Sequence, residues 1–168
     1  LSPYAAAKLF GEYYCSVFSK VFGLDTISLR YFNVFGPYQD PSSQYAAAIP
    51  AFVTSILQDT APTIYGDGEQ SRDFTYIDNV VEANILAGRS EGTNGEVVNI
   101  ACGDAITVNR IIEMINEIVG KDVKARYTSE RAGDVKHSMA DIGKAGEVIG
   151  YKPIVKFEDG LRKAIEWY

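Results

Sequence analysis

The sequence has 168 residues, of which 46% are hydrophobic, and this is enough for one compact core. Its net charge of −6 argues against a nucleic-acid-binding protein, which needs a basic face, and its two cysteines are too few for a disulfide scaffold. No apolar run reaches the roughly 18 residues that a membrane helix needs and no secretory leader opens the chain, so we expect a cytoplasmic protein without a membrane partner.

The first predicted element is a long helix over residues 4–22, which begins near Pro3 and ends at Gly23. Apolar side chains recur along it at helical spacing and predict a face that packs on the protein core or on a second subunit: Leu9, Phe10, Tyr13, Tyr14, Val17, Phe18 and Val21. Residues 26–32 predict a buried strand. A helix followed directly by a strand is half of a βαβ unit and predicts a parallel sheet.

The rest of the chain alternates between predicted helices and strands. A loop with turn signals covers residues 33–44. The predicted helices are 46–58, 79–87 with Asp78 as N-cap, 108–119 with Thr107 as N-cap and Gly120 as stop, 142–149 and 157–168. The predicted strands are 63–65, 74–77, 97–100 and 123–127. This alternation indicates an α/β fold.

Tyr4 and Lys8 are four residues apart, so the helix places both on one face. A tyrosine has an ordinary pKa near 10 and must be stabilised as phenolate before it can act as a base at neutral pH. A neighbouring lysine cation supplies such stabilisation. The pair therefore suits proton transfer, although any amphipathic helix can carry the same two residues on its surface.

Three downstream segments support a catalytic role for the Tyr4–Lys8 pair: residues 30–36 (RYFNVFG), 72–78 (RDFTYID) and 131–135 (RAGDV). Taken in chain order, residues 4–8 and these three segments resemble the C-terminal half of an extended short-chain dehydrogenase/reductase of the NAD-dependent epimerase/dehydratase family. Within it they are most similar to the UDP-glucose and UDP-N-acetylglucosamine 4-epimerases. The resemblance implies a Rossmann-type α/β fold that lacks the N-terminal dinucleotide-binding strands, and no Gly-rich strand–helix turn opens the chain.

The resemblance also implies a domain division. Residues 1–36 correspond to the tail of the NAD-binding domain, and residues 37–168 mainly to the nucleotide-sugar-binding domain. Residues 75–100 are expected to pack back on the Rossmann part.

The resemblance implies NAD as the cofactor and gives roles to three residues near it. Tyr4 corresponds to the catalytic acid and base, Lys8 to the residue that bonds the nicotinamide ribose, and Tyr31 to a further cofactor contact. A Ser or Thr that assists the tyrosine lies upstream of it in the family. Ser2 is too close to Tyr4 for that part.

The implied partner of this chain is a UDP-sugar. Arg72 and Arg131 correspond to the arginines that grip the diphosphate, a task that suits the guanidinium fork. Of the other residues implied to contact the substrate, Asp134 takes the ribose hydroxyls, Asn33 the diphosphate and sugar, Gln39 the sugar, and Thr63, Ile64 and Tyr65 the uracil. Each also has an ordinary reading: Arg72-Asp73 as a solvated turn, Asp134 as turn chemistry, Tyr65 as a core residue.

Ser138 corresponds to the position where a bulky residue excludes an N-acetyl group from the hexose pocket, so a small serine predicts that N-acetyl sugars fit. The implied reaction is C4 epimerisation of a UDP-hexose through a 4-keto sugar. We expect this chain to be inactive without the N-terminal Rossmann half, and the complete enzyme to be a homodimer. A dehydratase, a decarboxylase or a non-catalytic nucleotide-sugar-binding module remain alternatives. The single histidine, His137, and the absence of a Cys/His cluster predict no metal site.

Overall fold

The computed structural model describes residues 3–40, 48–131, 133 and 135–168. The chain folds into six helices in these ranges: α1 (Pro3–Phe22), α2 (Ala48–Leu57), α3 (Ile77–Arg89), α4 (Val108–Val119), α5 (Gly143–Ile149) and α6 (Phe157–Ile165). The strands are β1 (Ile27–Tyr31), β2 (Val34–Phe35), β3 (Thr63–Tyr65), β4 (Ser71–Arg72), β5 (Thr75–Tyr76), β6 (Glu96–Ile100), β7 (Ile106–Thr107), β8 (Arg126–Thr128) and β9 (His137–Ser138).

The strands pair mostly in parallel, which confirms the predicted α/β class. β1 pairs with β6, β2 with β5 and β3 with β8, each in parallel. β4 lies between the antiparallel β7 and the parallel β9, and Arg72 is in register with Ser138. This three-stranded sheet brings the 72–78 segment beside the segment that carries Ser138.

Two apolar cores hold these layers together. In the larger one, α2, α4 and α6 pack over the short strands through buried residues that include Phe35, Ile56, Ile111 and Leu161. The smaller core lies between β6, α3 and α5, where the buried Tyr151 donates its hydroxyl to Ala101 O at 2.8 Å. Among the described helices, none is long and apolar enough to cross a membrane.

The apolar face of α1 is not buried by the described part of the chain, so of the two expectations, the protein core and a second subunit, the first is not met within the described residues. None of the residues of α1 is buried. The seven predicted face residues are between 44% and 68% exposed. Periodicity identifies which side of a helix is apolar, but it does not say what covers that side.

The helix is held instead by polar contacts with its neighbours. Glu12 accepts two hydrogen bonds from Arg30 at 2.6 and 2.5 Å. Thr26 donates its hydroxyl to Cys15 O at 2.8 Å. β1 was expected to be buried, but Arg30 and Tyr31 are exposed because β1 has a strand neighbour, β6, on one side in the described chain.

Several predicted boundaries shift by a few residues. α3 begins at Ile77, and its N-cap is Tyr76 without a side-chain bond, so the prediction of Asp78 as N-cap was wrong. Asp78 lies in the first turn, where the positive end of the helix dipole favours a carboxylate.

The strand predicted for residues 123–127 is β8, and α6 ends before Trp167. The cap of α4 is confirmed, because Thr107 accepts from the Arg110 N–H and Gly120 adopts a left-handed φ of 70°.

Candidate functional site

A cleft opens between α2, β3 and β4, and we call it the central cleft. Its volume is about 350 Å³. Its lining contains six residues that the sequence predicted to bind substrate: Asn33, Thr63, Ile64, Tyr65, Arg72 and Arg131. Phe35, Phe52 and Phe74 form part of its apolar floor. The topology therefore gathers residues from four separate segments around one cleft.

The central cleft continues past Asn33 and Arg72 into a more open region, the side opening. Tyr31, Gly133 and Ser138 also line this region. Ser138 lies beside Arg72 because β9 and β4 pair in parallel. A ligand that spans both regions would thus contact Arg131 in the central cleft, Arg72 at the junction and Ser138 in the side opening.

The lining of the central cleft contains a stacked pair, Tyr65 and Arg131. The Arg131 Cζ lies 3.9 Å from the centroid of the Tyr65 ring, and Tyr65 is 40% exposed. Such a cation–π contact contributes about 0.5–1 kcal/mol at an exposed site. Tyr65 is therefore not a core residue, and its contact holds the guanidinium in the lining of the cleft.

Gln70 also lines the central cleft, although the sequence gave no reason to select it. Its Nε2 donates to Tyr65 O at 2.7 Å. Nearby, Asp67 accepts from Glu69 N at 2.9 Å and pairs with Lys136 at 3.3 Å. The hydrogen bond from the Glu69 N–H, and to a smaller extent the one from Lys136, lowers the pKa of Asp67. An ionised carboxylate therefore lies beside Lys136.

Tyr4 and Lys8 line a second, open depression, which we call the α1 groove. The Lys8 Nζ lies 5.5 Å from the centroid of the Tyr4 ring, as the four-residue spacing requires. Glu12, Arg30 and Tyr31 also line the groove. Tyr31 lines both the α1 groove and the side opening, and its hydroxyl donates to Asn84 at 3.0 Å.

Two predicted residues stand apart from this arrangement. Gln39 is not in the lining of the central cleft or of the side opening as described. Its Nε2 donates to Val34 O at 3.0 Å, and its backbone carbonyl accepts from the Tyr168 hydroxyl at 3.1 Å. Asp134 lies outside the described residues.

Asp73 is completely buried, so the reading of Arg72-Asp73 as a solvated turn was wrong. Its carboxylate accepts backbone N–H groups from Cys102, Gly103 and Ala140 at 3.0, 2.9 and 3.3 Å. Burial raises the pKa of Asp73, and these bonds oppose that effect. No local signal in the sequence indicated this burial, because the three donors lie 29, 30 and 67 residues further along the chain.

Asn33 follows β1 in a left-handed conformation, with φ of 28°. Asparagine tolerates this region better than most residues with a side chain. Its Nδ2 donates to Asp73 O at 2.7 Å, and its backbone O accepts from Thr75 N at 3.2 Å. These bonds fix the exposed amide at the junction of the central cleft and the side opening.

His137, on β9, contacts a side chain of the neighbouring β4. Its Nδ1 lies 3.0 Å from the Ser71 hydroxyl. Within the described ranges, no group of three or more His, Cys, Asp or Glu side chains could hold a metal ion.

A sequence profile described as the NAD dependent epimerase/dehydratase family matches residues 1–101. The chain belongs to this family. Among curated relatives, a UDP-glucuronate 4-epimerase from Thermodesulfobacterium geofontis is 36% identical over 168 residues, covering 99% of this chain and 50% of that protein. Other relatives are named as a dTDP-glucose 4,6-dehydratase and a UDP-N-acetyl-α-D-glucosaminuronate decarboxylase.

Solved structures of epimerases have the same fold. The UDP-N-acetylglucosamine 4-epimerase from Methanobrevibacter ruminantium M1, in complex with UDP-N-acetylmuramic acid, superposes with a TM-score of 0.93 at 48% identity, covering 99% of this chain and 53% of that one. A UDP-glucuronic acid 4-epimerase from Bacillus cereus, in complex with UDP-glucuronic acid and NAD, gives a TM-score of 0.87 at 37% identity, covering 99% and 52%. The chain spans about half the length of the relatives it matches.

NAD is the cofactor of this epimerase/dehydratase family. The α1 groove fits one end of a dinucleotide, since an exposed tyrosine hydroxyl and a lysine ammonium are suited to ribose hydroxyls. The pyrophosphate end needs a Gly-rich turn before a helix N-terminus. The 168-residue sequence contains no G-x-G-x-x-G, because Gly66 and Gly68 are followed by Ser71.

Proposed function

We propose that this chain is the catalytic and nucleotide-sugar-binding part of an NAD-dependent UDP-hexose 4-epimerase. The position of Tyr31 carries this proposal: it lines the α1 groove together with Tyr4 and Lys8, and it lines the side opening together with Ser138. A hydride transfer needs cofactor and sugar to meet at one point, and Tyr31 marks where these two depressions adjoin.

In this proposal each residue has a defined task. Arg72 and Arg131 bind the diphosphate through charge-assisted hydrogen bonds, and Tyr65 contacts the uracil. Asn33 and Ser138 contact the sugar. Tyr4 takes the proton from the C4 hydroxyl and returns it, and Lys8 holds the nicotinamide ribose. NAD supplies the hydride acceptor and donor.

A chimera tests the proposal with the dinucleotide-binding half restored. This chain would replace the corresponding half of the Methanobrevibacter ruminantium enzyme, which it covers to 53%. We expect C4 epimerisation of UDP-N-acetylglucosamine with NAD⁺, and a loss of about 10²–10⁴-fold in Tyr4→Phe, the usual contribution of a general acid–base. An intact chimera that binds UDP-sugar and NAD but leaves the configuration at C4 unchanged would refute it.

Ser138 supports N-acetyl sugars as substrates, because a small side chain borders the side opening. In the chimera, Ser138→Tyr should suppress turnover of UDP-N-acetylglucosamine by about tenfold or more, about 1.4 kcal/mol of steric cost, and spare UDP-glucose. The adjacent Met139→Tyr is the control, since Met139 is 64% exposed. Equal loss for both sugars in Ser138→Tyr would contradict this role.

The dehydratase and decarboxylase alternatives rest on the relatives with those names. Product analysis of the chimera separates them. A dehydratase would release a 4-keto-6-deoxy sugar, and a decarboxylase would lose the C6 carboxylate of a uronic acid as CO₂. A binding module would leave every substrate unchanged.

A further inference from the structure

Asp73 is a buried carboxylate that the proposed catalytic cycle does not use. It is 0% exposed, and its three hydrogen-bond partners in the described chain are all backbone N–H groups. Burying an ionised carboxylate is unfavourable unless several donors replace its water. A hydrophobic side chain would leave the three N–H groups unpaired and an amide would face one of them with a donor, so this position favours an acceptor-only carboxylate.

The three donors come from two segments that follow different strands. Cys102 and Gly103 follow β6, which pairs with β1, the strand that ends at Tyr31. Ala140 follows β9, which pairs with β4. One carboxylate therefore joins the β1–β6 pair, on the side of the α1 groove, to the sheet that carries Arg72 and Ser138.

The backbone of Asp73 in turn holds two residues of the proposed sugar site. Its carbonyl accepts from Asn33 Nδ2 at 2.7 Å, and its N–H donates to Ser138 O at 3.0 Å. Asn33 lies between β1 and β2 with a left-handed backbone, and the bond to Asp73 holds its side-chain amide. A shift of Asp73 would thus be transmitted to both Asn33 and Ser138.

We propose that Asp73 is a positioning residue for substrate: its carboxylate fixes the β4–β6–β9 junction so that Asn33 and Ser138 face the sugar. This proposal rests on the nucleotide-sugar role of the cleft. Tyr65 and Arg131, the proposed uracil and diphosphate contacts, have no hydrogen bond to Asp73 in the described part of the chain. Loss of the carboxylate should therefore affect the sugar end selectively.

Calorimetric binding of UMP and UDP-N-acetylglucosamine to the 168-residue chain tests this selectivity. Asp73→Asn keeps the shape but turns one acceptor oxygen into a donor that faces N–H groups. We expect affinity for UDP-N-acetylglucosamine to fall about tenfold, equal to about 1.4 kcal/mol, and affinity for UMP to stay within about twofold. The exposed Asp104→Asn is the matched control and should change neither.

A double-mutant cycle checks that Asp73 acts through Asn33. Asn33→Ala should weaken UDP-N-acetylglucosamine binding in the unmodified chain and add little in the Asp73→Asn background. Additive losses, or equal losses for UMP and the sugar nucleotide, would overturn the proposal. Additive losses would mean that Asp73 and Asn33 act on the ligand independently. Equal losses for both nucleotides would mean that the Asp73 variant destabilises the whole cleft.

An NMR measurement on the unmodified chain requires neither a variant nor a ligand. The bond from Asn33 Nδ2 to Asp73 O should give a protected side-chain amide proton and a scalar coupling across the hydrogen bond. Free exchange of that amide would overturn the positioning role even if nucleotides bind. If the amide is protected but the chain binds neither nucleotide, both the selectivity claim and the proposed function are overturned. Only the hydrogen bond between Asn33 and Asp73 would then stand.

Discussion

Tyr65 and Arg131 show how a side chain can be exposed and yet held in place. The guanidinium lies 3.9 Å from the ring centroid, and both residues line the central cleft. Stacking orders the arginine before a ligand arrives, so less side-chain entropy is lost on binding. This preorganisation favours recognition of an anionic ligand by a protein whose overall charge is −6.

Arg131→Ala should therefore weaken UDP binding by about 10- to 100-fold, because removing a charge-assisted hydrogen bond costs about 1.5–3 kcal/mol. Calorimetry with UDP measures this change. Arg110→Ala is the control, since Arg110 pairs with Glu113 and Glu117 on α4 away from the cleft. Equal affinity losses in the two arginine variants would indicate a general charge effect.

At the scale of elements, α4 was the most predictable helix because every signal in its sequence agrees. Its apolar stripe, the N-cap Thr107 and the stop at Gly120 define the same twelve residues, Val108–Val119. Asp78 failed as a cap because the chain already turns into α3 at Ile77, directly from β5. Propensity identifies a capping residue, but tertiary contacts decide where the helix begins.

Thr107→Ala should lower the free energy of unfolding by about 1 kcal/mol, the usual cost of losing an N-cap side chain. The Thr107 hydroxyl accepts from Arg110 N at 3.2 Å, and this bond disappears in the variant. Urea unfolding measures the difference. Thr107→Ser retains the oxygen and should stay close to the unmodified protein, so equal destabilisation in both variants would exclude the cap as the cause.

The Glu12–Arg30 pair links α1 to β1 and should make that contact depend on pH. The hydrogen bond from Arg30 lowers the pKa of Glu12 below its ordinary 4.5. A lowered folded-state pKa stabilises the protein above the unfolded-state value, and this stabilisation is lost as pH falls through the folded-state value.

Glu12→Gln should therefore reduce the free energy of unfolding at neutral pH by about 0.2–1 kcal/mol, the range for exposed ion pairs. The difference from the unmodified protein should shrink as the pH falls through the lowered folded-state pKa of Glu12. Urea unfolding at several pH values measures it. The exposed Glu147→Gln in α5 is the control, and a difference that persists in acid would argue against the ion pair.

At the scale of the whole molecule, the order of short segments identified the family better than any single residue did. Tyr4 and Lys8 could belong to any helix, and RYFNVFG, RDFTYID and RAGDV make the assignment together. The sequence could not reveal that Asp73 is buried, because its three N–H donors come from residues 102, 103 and 140. It also could not say what covers Phe10 or Tyr14, which are 64% and 65% exposed.

The same reasoning predicts how the isolated chain treats its cofactor. The α1 groove offers Tyr4 and Lys8 to a ribose, but the sequence has no Gly-rich turn for the pyrophosphate. We expect calorimetry to show no saturable NAD binding at concentrations that saturate the chain with UDP-sugar. The chimera with a dinucleotide-binding half should bind NAD, and Lys8→Ala should weaken that binding. Tight NAD binding by the isolated chain, abolished by Lys8→Ala, would show that the α1 groove holds the dinucleotide without the missing turn.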